Sequence, residues 1–394
     1  MSSFLRHYQT YDGPSTVLEA HDLASIAKYM KSDACKSVFI MVSPCNSCKQ
    51  GISTSSGIPD FRSPETGLYA NLARLNLPYP EAVFEINFFR KNPKPFYVLA
   101  KELYPGNFRP TPAHSFVKVL DNHKILAKCF TQNIDTLERR AGVPDDKIVE
   151  AHGSYASQRC IDCKRPYDAA KLKDKLLKEE VAYCENCKGL VKPDIVFFGE
   201  SLPPLFHCSI SALRSADLLI VMGTSLVVQP FASLVDLVPE DCPRLLINLE
   251  HVGDFGSRSN DVVYLGKCDA GVRELCRLLG WEEELEDEWE KTKDTLERVG
   301  VGEPASEKDK KKAEKEARAA RFREEAEKAG AEENEREKLK DEVDELTREV
   351  EAALAISDNG DSKQHTATTE DPPKPTDAKE EHGSEDQKGP DGKL

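Results

Sequence analysis

The 394-residue chain contains no apolar run that approaches the length needed to span a bilayer, so no transmembrane helix is expected. Residues 1–16 are polar and lack the apolar centre of a secretory signal. An excess of positive charge is also missing. The net charge is −15, which argues against broad affinity for nucleic acid backbones. Residues 301–394, with 28 acidic and 18 basic side chains, carry −10 of that total. There is no long internal repeat, and hence no sign of a solenoid or propeller. Without a secretory signal, and with eight of the 12 cysteines scattered, a reducing compartment is expected.

What the chain does contain is concentrated in a few places. Cys160 and Cys163 form one C-x-x-C pair, and Cys184 and Cys187 form another. Their spacing lets four thiolates close a tetrahedron around one zinc ion. Four cysteine ligands leave no position for water or substrate, so such a zinc holds the fold and takes no part in chemistry. His152 precedes this segment between Ala151 and Gly153. Small neighbours leave its imidazole accessible, and its unperturbed pKa suits proton transfer near neutrality.

Short apolar runs at 37–42, 129–132, 194–198, 218–222, 244–249 and 262–265 read as buried strands. Helical patterns at 115–122, 135–141, 230–237 and 270–279 lie between them. Alternation of this kind predicts an α/β fold with a Rossmann-like parallel sheet covered by helices on both faces. The cysteine segment, about 157–192, interrupts the pattern and reads as an inserted small zinc-ribbon domain. Ligands of such sheets bind at the carboxyl ends of the strands, so the loops there are the candidates for chemistry.

Residues 51–63, GISTSSGIPDFRS, follow the first strand. Small residues, hydroxyls and amide N–H groups suit a pyrophosphate, and Arg62 adds charge, although the segment is not a G-x-G-x-x-G fingerprint and an ordinary surface loop has a similar composition. Thr131-Gln132-Asn133-Ile134-Asp135 follows a second strand, with amide donors and acceptors and a carboxylate that serves equally as a helix cap. Gly223-Thr224-Ser225 follows a third, and Asn248 and Glu250 a fourth. Each is bland alone; together they outline a crevice.

In order along the chain, GISTSSGIPDFRS, TQNIDTLERRAG, EAHGS, the two C-x-x-C pairs, VKPDIVFFGE and GTSLVVQPFASL resemble the sirtuins, NAD-dependent protein lysine deacylases. LYANLARLNLPYPEAVF and AKELYPGNFRPTPAH look like class I members of the fungal cytoplasmic branch. The resemblance covers residues 15–285. It implies a protein deacetylase acting on acetylated lysines of histones or other proteins, with NAD as a consumed co-substrate and one structural zinc. Gly51, Ile52 and Ser53 would line the phosphate and ribose region. Asp60, Phe61 and Arg62 would sit on the cofactor loop. Gln132 and Asn133 would hold the nicotinamide ribose, with Asn133 counted beside His152 as catalytic. Ile134 and Asp135 would meet the carboxamide. Gly223, Thr224 and Ser225 would bind phosphate and adenosine ribose, and Asn248, Glu250 and Cys268 would surround the adenosine. Val196, Phe197, Phe198, Gly199 and Glu200 would pair with the substrate peptide as an added strand. In the implied reaction the acyl oxygen attacks C1′ of the nicotinamide ribose and nicotinamide leaves. His152 then takes a proton from a ribose hydroxyl, and free lysine and O-acetyl-ADP-ribose result.

One departure stands out. The family pattern Gly-Ala-Gly-Ile-Ser matches only at Gly51-Ile52-Ser53, because residues 43–50 (SPCNSCKQ) replace the expected Gly-Ala. A misplaced exon boundary, an isoform with impaired cofactor binding that only holds acyl-lysine, and a redox or metal site at Cys45 and Cys48 are the three readings of this insert. After Trp281 the composition changes. Residues 286–358 are a charged extension suited to exposed helix, and 359–394 have the composition of a disordered tail. The stripe Leu339, Val343, Leu346 and Val350 resembles an export signal, and residues 310–323 form a basic cluster. A cytoplasmic setting with nuclear shuttling is the expectation.

Overall fold

The computed structural model describes residues 11, 13–43, 51–58 and 77–296. The expectations for Asp60, Phe61 and Arg62, for the insert after Ser43, and for the chain beyond residue 296 lie outside the described residues. Six strands form one parallel sheet: β1 (Val38–Val42), β2 (Leu126–Thr131), β3 (Ile148–Glu150), β6 (Leu218–Met222), β7 (Arg244–Asn248) and β8 (Asp261–Leu265). Two more, β4 (Gln158–Cys160) and β5 (Val191–Pro193), form a separate antiparallel pair. The α-helices among the described residues are α1 (Leu23–Met30), α2 (Ile86–Lys91), α3 (Lys94–Glu102), α4 (Pro112–Asn122), α5 (Leu137–Arg140), α6 (Ala169–Leu177), α7 (Pro204–Ser209), α8 (Cys268–Leu279) and α9 (Glu282–Lys291). None is long and apolar enough to cross a membrane.

The large sheet runs β3-β2-β1-β6-β7-β8. The chain steps from β1 to one side, through β2 and β3, and then returns to place β6 on the other side. The crevice outside this reversal of order is where open α/β sheets bind ligands. Register aligns the strand ends there. Val42 pairs with Thr131 and with Met222, and Thr131 pairs with Glu150, so the loops after β1, β2, β3 and β6 leave from one level. Alternate side chains of β1 face opposite sides. Val38, Ile40 and Val42 join a core with α1, α4 and α8, whereas Phe39 and Met41 join one with Phe130, Phe206 and Phe231. Burial on both faces explains why these strands are continuous apolar runs.

A third core, that of a small lobe, lies apart from the large sheet and is built from two separated stretches of chain. Val83, Phe89, Phe96, Tyr97 and Leu99 come from the first stretch, with α2 and α3. Cys160, Leu172, Leu176, Cys184 and Phe197 come from the second, with β4, α6 and β5. The sequence pattern marks only the second stretch as an insert; pairing with residues 83–103 is a product of tertiary packing. The last described helix also differs from an exposed helix. Leu285 of α9 is fully buried, and Trp289 Nε1 donates to the Pro110 carbonyl at 2.9 Å.

Residues 194–198 do not form the sheet strand that their apolar run suggests. The Asp194 amide donates to the Ser157 carbonyl, Val196 to His152 and Phe198 to Phe84, each at 2.8 Å. Donors spent on three different segments leave no ladder for a neighbouring strand. The run is apolar because Phe197, 1% exposed, fills the small core, edge-on to Phe84, Phe89 and Phe96 at centroid distances of 5.0–5.9 Å. The 230–237 segment is a short 3-10 helix at Phe231–Asp236.

Candidate active site

β1, β2, β3, β6 and β7 each deliver a polar tip to the crevice. After β1, Gly51, Ile52 and Ser53 are all buried, with Ile52 packed in the sheet core, so these three positions hold the end of β1 despite the longer connection before them. After β2, the Asn133 amide N–H donates to Thr131 Oγ1 at 3.0 Å, and Asn133 Nδ2 donates to Ser53 Oγ at 3.1 Å. The first and second loops are thereby joined through Ser53. Asn133 Oδ1 is buried and has no protein partner. Ile134 is half-buried against the small core, and its carbonyl accepts from the Tyr155 amide at 3.3 Å. Asp135 stands one residue before Thr136, the N-cap of α5, and accepts from the Leu137 amide at 2.9 Å, a local turn rather than a helix cap.

His152 follows β3 and is half-buried. Its Nδ1 lies 3.2 Å from the Gln132 carbonyl oxygen. A carbonyl only accepts, so the ring proton sits on Nδ1 and the Nε2 lone pair is available. Gln132 Nε2 lies near that lone pair, at 3.5 Å. Burial holds the imidazole below its ordinary pKa because it disfavours the cation, and the Gln132 carbonyl offsets this only in part. His152 is therefore a neutral base at pH 7.

Gly153 ties this base to the peptide segment. It has φ +63°, and a Cβ there would stand 1.9 Å from the Asp194 carbonyl oxygen. Only glycine allows both the left-handed backbone and this approach. Gly153→Ala is expected to cost about 2–4 kcal/mol, the strain of the backbone added to overpacking. Denaturant unfolding measures this directly; an unchanged midpoint would show that 194–196 moves aside freely.

On the other side of the crevice, Gly223 has φ +60° and begins the turn after β6. Thr224 is buried and Ser225 half-buried. Asn248, at the end of β7, donates through Nδ2 to the Thr224 carbonyl at 3.0 Å and the Glu250 carbonyl at 2.8 Å. Its Oδ1 is buried with no protein partner, the second such atom in the crevice. Glu250 is exposed, and Cys268 is buried with Sγ 3.5 Å from the Ile247 carbonyl oxygen. Two orphaned amide oxygens at opposite ends of one crevice fit a polar ligand that donates to both, because a buried acceptor left unmatched costs free energy.

The peptide segment Val196–Glu200 lies beside His152. Phe198 is 61% exposed although it is large and apolar. Gly199 has φ +93°, and Glu200 Oε2 accepts from the Phe197 amide at 3.0 Å and pairs with the buried Lys192 at 2.9 Å. Lys192 lies within VKPDIVFFGE and Phe84 ends LYANLARLNLPYPEAVF, but only folding shows that Lys192 pairs with Glu200 and that the Phe84–Ile86 backbone brackets Phe198.

The four cysteines converge. Sγ of Cys160 and Cys187 lie 3.4 Å apart, those of Cys163 and Cys184 lie 3.6 Å apart, and all four fall within 4.8 Å of one another. A tetrahedral zinc with bonds of about 2.3 Å places its sulfurs about 3.8 Å apart, so the set fits one zinc ion. The Asp162 amide points at Cys160 Sγ at 3.4 Å, and the Cys187 amide, followed by that of Asn186, draws the Cys184 thiol down to about 7.

Comparison with known proteins decides the family. The Sir2 family model matches residues 50–230. The chain is 52% identical over 345 residues to the NAD-dependent protein deacetylase hst2-1 of Emericella nidulans, covering 88% of this chain and 87% of that one. The chain belongs to the Sir2 family. It is also 51% identical over 265 residues to the NAD-dependent protein deacetylase hst2 of Schizosaccharomyces pombe, covering 67% and 78% of the two chains. Over 291 residues it is 50% identical to the NAD-dependent protein deacetylase sirtuin-2 of Danio rerio, covering 69% and 75%. Among these Sir2 proteins the likeness to fungal Hst2 agrees with the sequence reading, and the relatives' NAD dependence agrees with the two unmatched amide oxygens of the crevice.

Proposed function

We propose that this chain is an NAD-dependent protein lysine deacetylase that takes acetyl groups from lysines of histones or other proteins and yields nicotinamide and O-acetyl-ADP-ribose. The observation that carries the reading is His152. It is a neutral base whose Nε2 lone pair meets only the long 3.5 Å contact from the Gln132 amide, placed between the crevice and the exposed segment at Phe198. Bound NAD supplies an electrophilic ribose carbon and a leaving group. Asn133 and Gln132 orient the ribose, and Asn133 is itself oriented by Ser53. Asn248 and the turn at Gly223, Thr224 and Ser225 hold the adenosine end, with Glu250 and Cys268 beside it. His152 accepts a hydroxyl proton at Nε2 and keeps its tautomer through Gln132. Val196–Glu200 offers backbone to an extended peptide, and Phe198 offers apolar surface to the lysine stem. The four cysteines hold the lobe that carries this segment and stand outside the chemistry.

The names of the relatives, all NAD-dependent protein deacetylases, support this reading. So does the burial of Gly51–Ser53, which leaves a cofactor-binding end on β1. Cytoplasmic residence with nuclear shuttling is part of the proposal and rests on sequence features outside the described residues.

The test is NAD-dependent deacetylation of an acetyl-lysine histone peptide, with the chain as it stands beside a version in which residues 43–50 are replaced by Gly-Ala. Activity in both is expected. Activity only in the shortened version would make the natural-length loop an impairment, and activity in neither would sink the reading.

A further inference from the structure

The loop after β1 is tied to the last described α-helix, α9, although the two stand more than 200 residues apart in the chain. Gly51–Ser53 belongs to the crevice, and the short 3-10 helix Thr54–Ser56 follows directly. Ile52 packs in the sheet core and Ile58 against the core of the small lobe. Between these apolar anchors the Ser56 hydroxyl donates to the Arg109 carbonyl at 2.7 Å. Arg109 and Pro110 are in turn gripped by α9 and the turn after it. Arg109 Nε donates to Thr292 Oγ1 at 3.0 Å, and Nη2 donates to the Trp289 carbonyl at 2.6 Å. The guanidinium stands over the Trp289 ring, 4.2 Å from its centroid. Trp289 Nε1 donates to the Pro110 carbonyl at 2.9 Å. Thr292 is 2% exposed, and its hydroxyl donates to the Trp289 carbonyl at 2.7 Å. An arginine that merely covered a tryptophan would be a surface contact. Here the side chain of Arg109 and the carbonyl of Pro110 are both held, so the backbone between them has little freedom. The carbonyl that receives Ser56 is therefore set by α9. From Ser56 the series continues inward. The Ser56 amide donates to the Ser53 carbonyl at 3.1 Å, and Ser53 Oγ accepts from Asn133 Nδ2 at 3.1 Å.

We propose that Trp289 and Arg109 are positioning residues for the cofactor. α9 fixes the Arg109 carbonyl, that carbonyl fixes Ser56, and the segment from Gly51 to Ser56 is thereby held in the conformation that receives the phosphate and ribose of NAD. The inference rests on the functional reading above, in which Gly51, Ile52 and Ser53 line that part of the cofactor. Pre-organisation of this kind acts on affinity, because a loop already in its binding conformation has less order to lose when the ligand arrives. The peptide segment Val196–Glu200 has no member in the series of hydrogen bonds. The effect of breaking the series should therefore fall on NAD and not on the acyl-lysine peptide.

Ser56→Ala cuts the link and leaves both of its ends in place. Its KM for NAD is expected to rise about 3- to 10-fold, the net weight of one hydrogen bond. Its KM for an acetyl-lysine peptide and its kcat should stay within about twofold of wild type. Trp289→Phe keeps an aromatic ring beside Arg109 and loses the Nε1 donor, and it should raise KM for NAD in the same direction. The double variant S56A/W289F decides whether the two act through one path. Its KM for NAD should not exceed that of the more affected single variant, whereas independent effects would multiply. An unchanged KM for NAD in S56A, an equal rise for the peptide, or multiplied rises in the double variant overturns the proposal. A purely structural role for α9 would lower the Tm of W289F and leave KM for NAD unchanged well below that Tm, which overturns it as well. If W289F does not fold, the S56A result decides alone. Failure of the wild-type chain to release nicotinamide in the presence of the peptide would strike the functional reading instead. Calorimetric Kd values for NAD would then still judge the clasp: equal affinity in wild type and S56A overturns it, and a wild-type chain that does not bind NAD sinks both.

Discussion

His152→Ala is expected to lower NAD-dependent deacetylation by about 10²–10⁴-fold, the usual contribution of a positioned general base. The fold should survive the change, because the half-buried ring makes only its two hydrogen-bond contacts with Gln132, and the backbone links of Gly153 and Val196 stay in place. The loss should be unequal across the reaction. Departure of nicotinamide precedes proton removal in the proposed order, so exchange of labelled nicotinamide into NAD should fall far less than formation of deacetylated peptide. Equal loss of both would mean that His152 orders the site and is not its base. The pH dependence follows from the direction of the shift. The neutral imidazole is the active form, and burial lowers its pKa, so activity is lost as pH falls through a value below the ordinary 6.5. In the alanine variant this acid limb should vanish from the residual rate.

Removal of the zinc ligands should have the largest effect on the structure itself. Cys160 and Cys184 are both in the small core, beside Leu172, Leu176 and Val191, whereas Cys187 is exposed. Cys184→Ala, or extraction with a strong chelator, is expected to reduce bound zinc from about one ion per chain to none. The small lobe should then open, because a structural zinc site contributes to folding on the order of 10 kcal/mol and no other crosslink closes this segment among the described residues. Phe197 would lose its packing, and the peptide segment and the Val196–His152 contact would follow. Loss of deacetylation together with a lowered Tm, while the NAD-binding sheet keeps its far-ultraviolet signature, is the expected pattern. Full activity and an unchanged Tm after zinc removal would show that the aromatic core alone holds the lobe.

These expectations differ in how far they were legible from the chain. The strands of the large sheet, β3 excepted, contain apolar runs bounded by turns; burial on both faces makes β1 and β6 apolar at every position, and β2, β7 and β8 apolar over most of their length. That is a local signal. The cysteine cluster is also local, since two C-x-x-C pairs at ribbon spacing state their own geometry. The Gly223 turn, Asn133, His152 and Asn248 could be placed at strand ends for the same reason. β3 was not legible: three residues, of which Glu150 is polar, carry too little pattern. Residues 194–198 carry a strand's pattern for another reason, because Phe197 is an anchor for the small lobe and not a rung of the sheet.

The sequence by itself determined the strand and helix alternation, the zinc ligands, the family and the candidate for the base, because each rests on residues close together or on a periodicity that burial imposes. Tertiary structure alone decided the rest. It brought residues 83–103 to the cysteine module to complete a core that neither stretch can bury alone. It closed Gly153 onto the Asp194 carbonyl. It also brought the buried His114 and Glu138, neither marked as a site residue by the chain alone, close to the half-buried Asp135. Water removal is a property of the packed molecule. A sequence shows which groups can ionise, and only the fold shows which of them are kept from doing so.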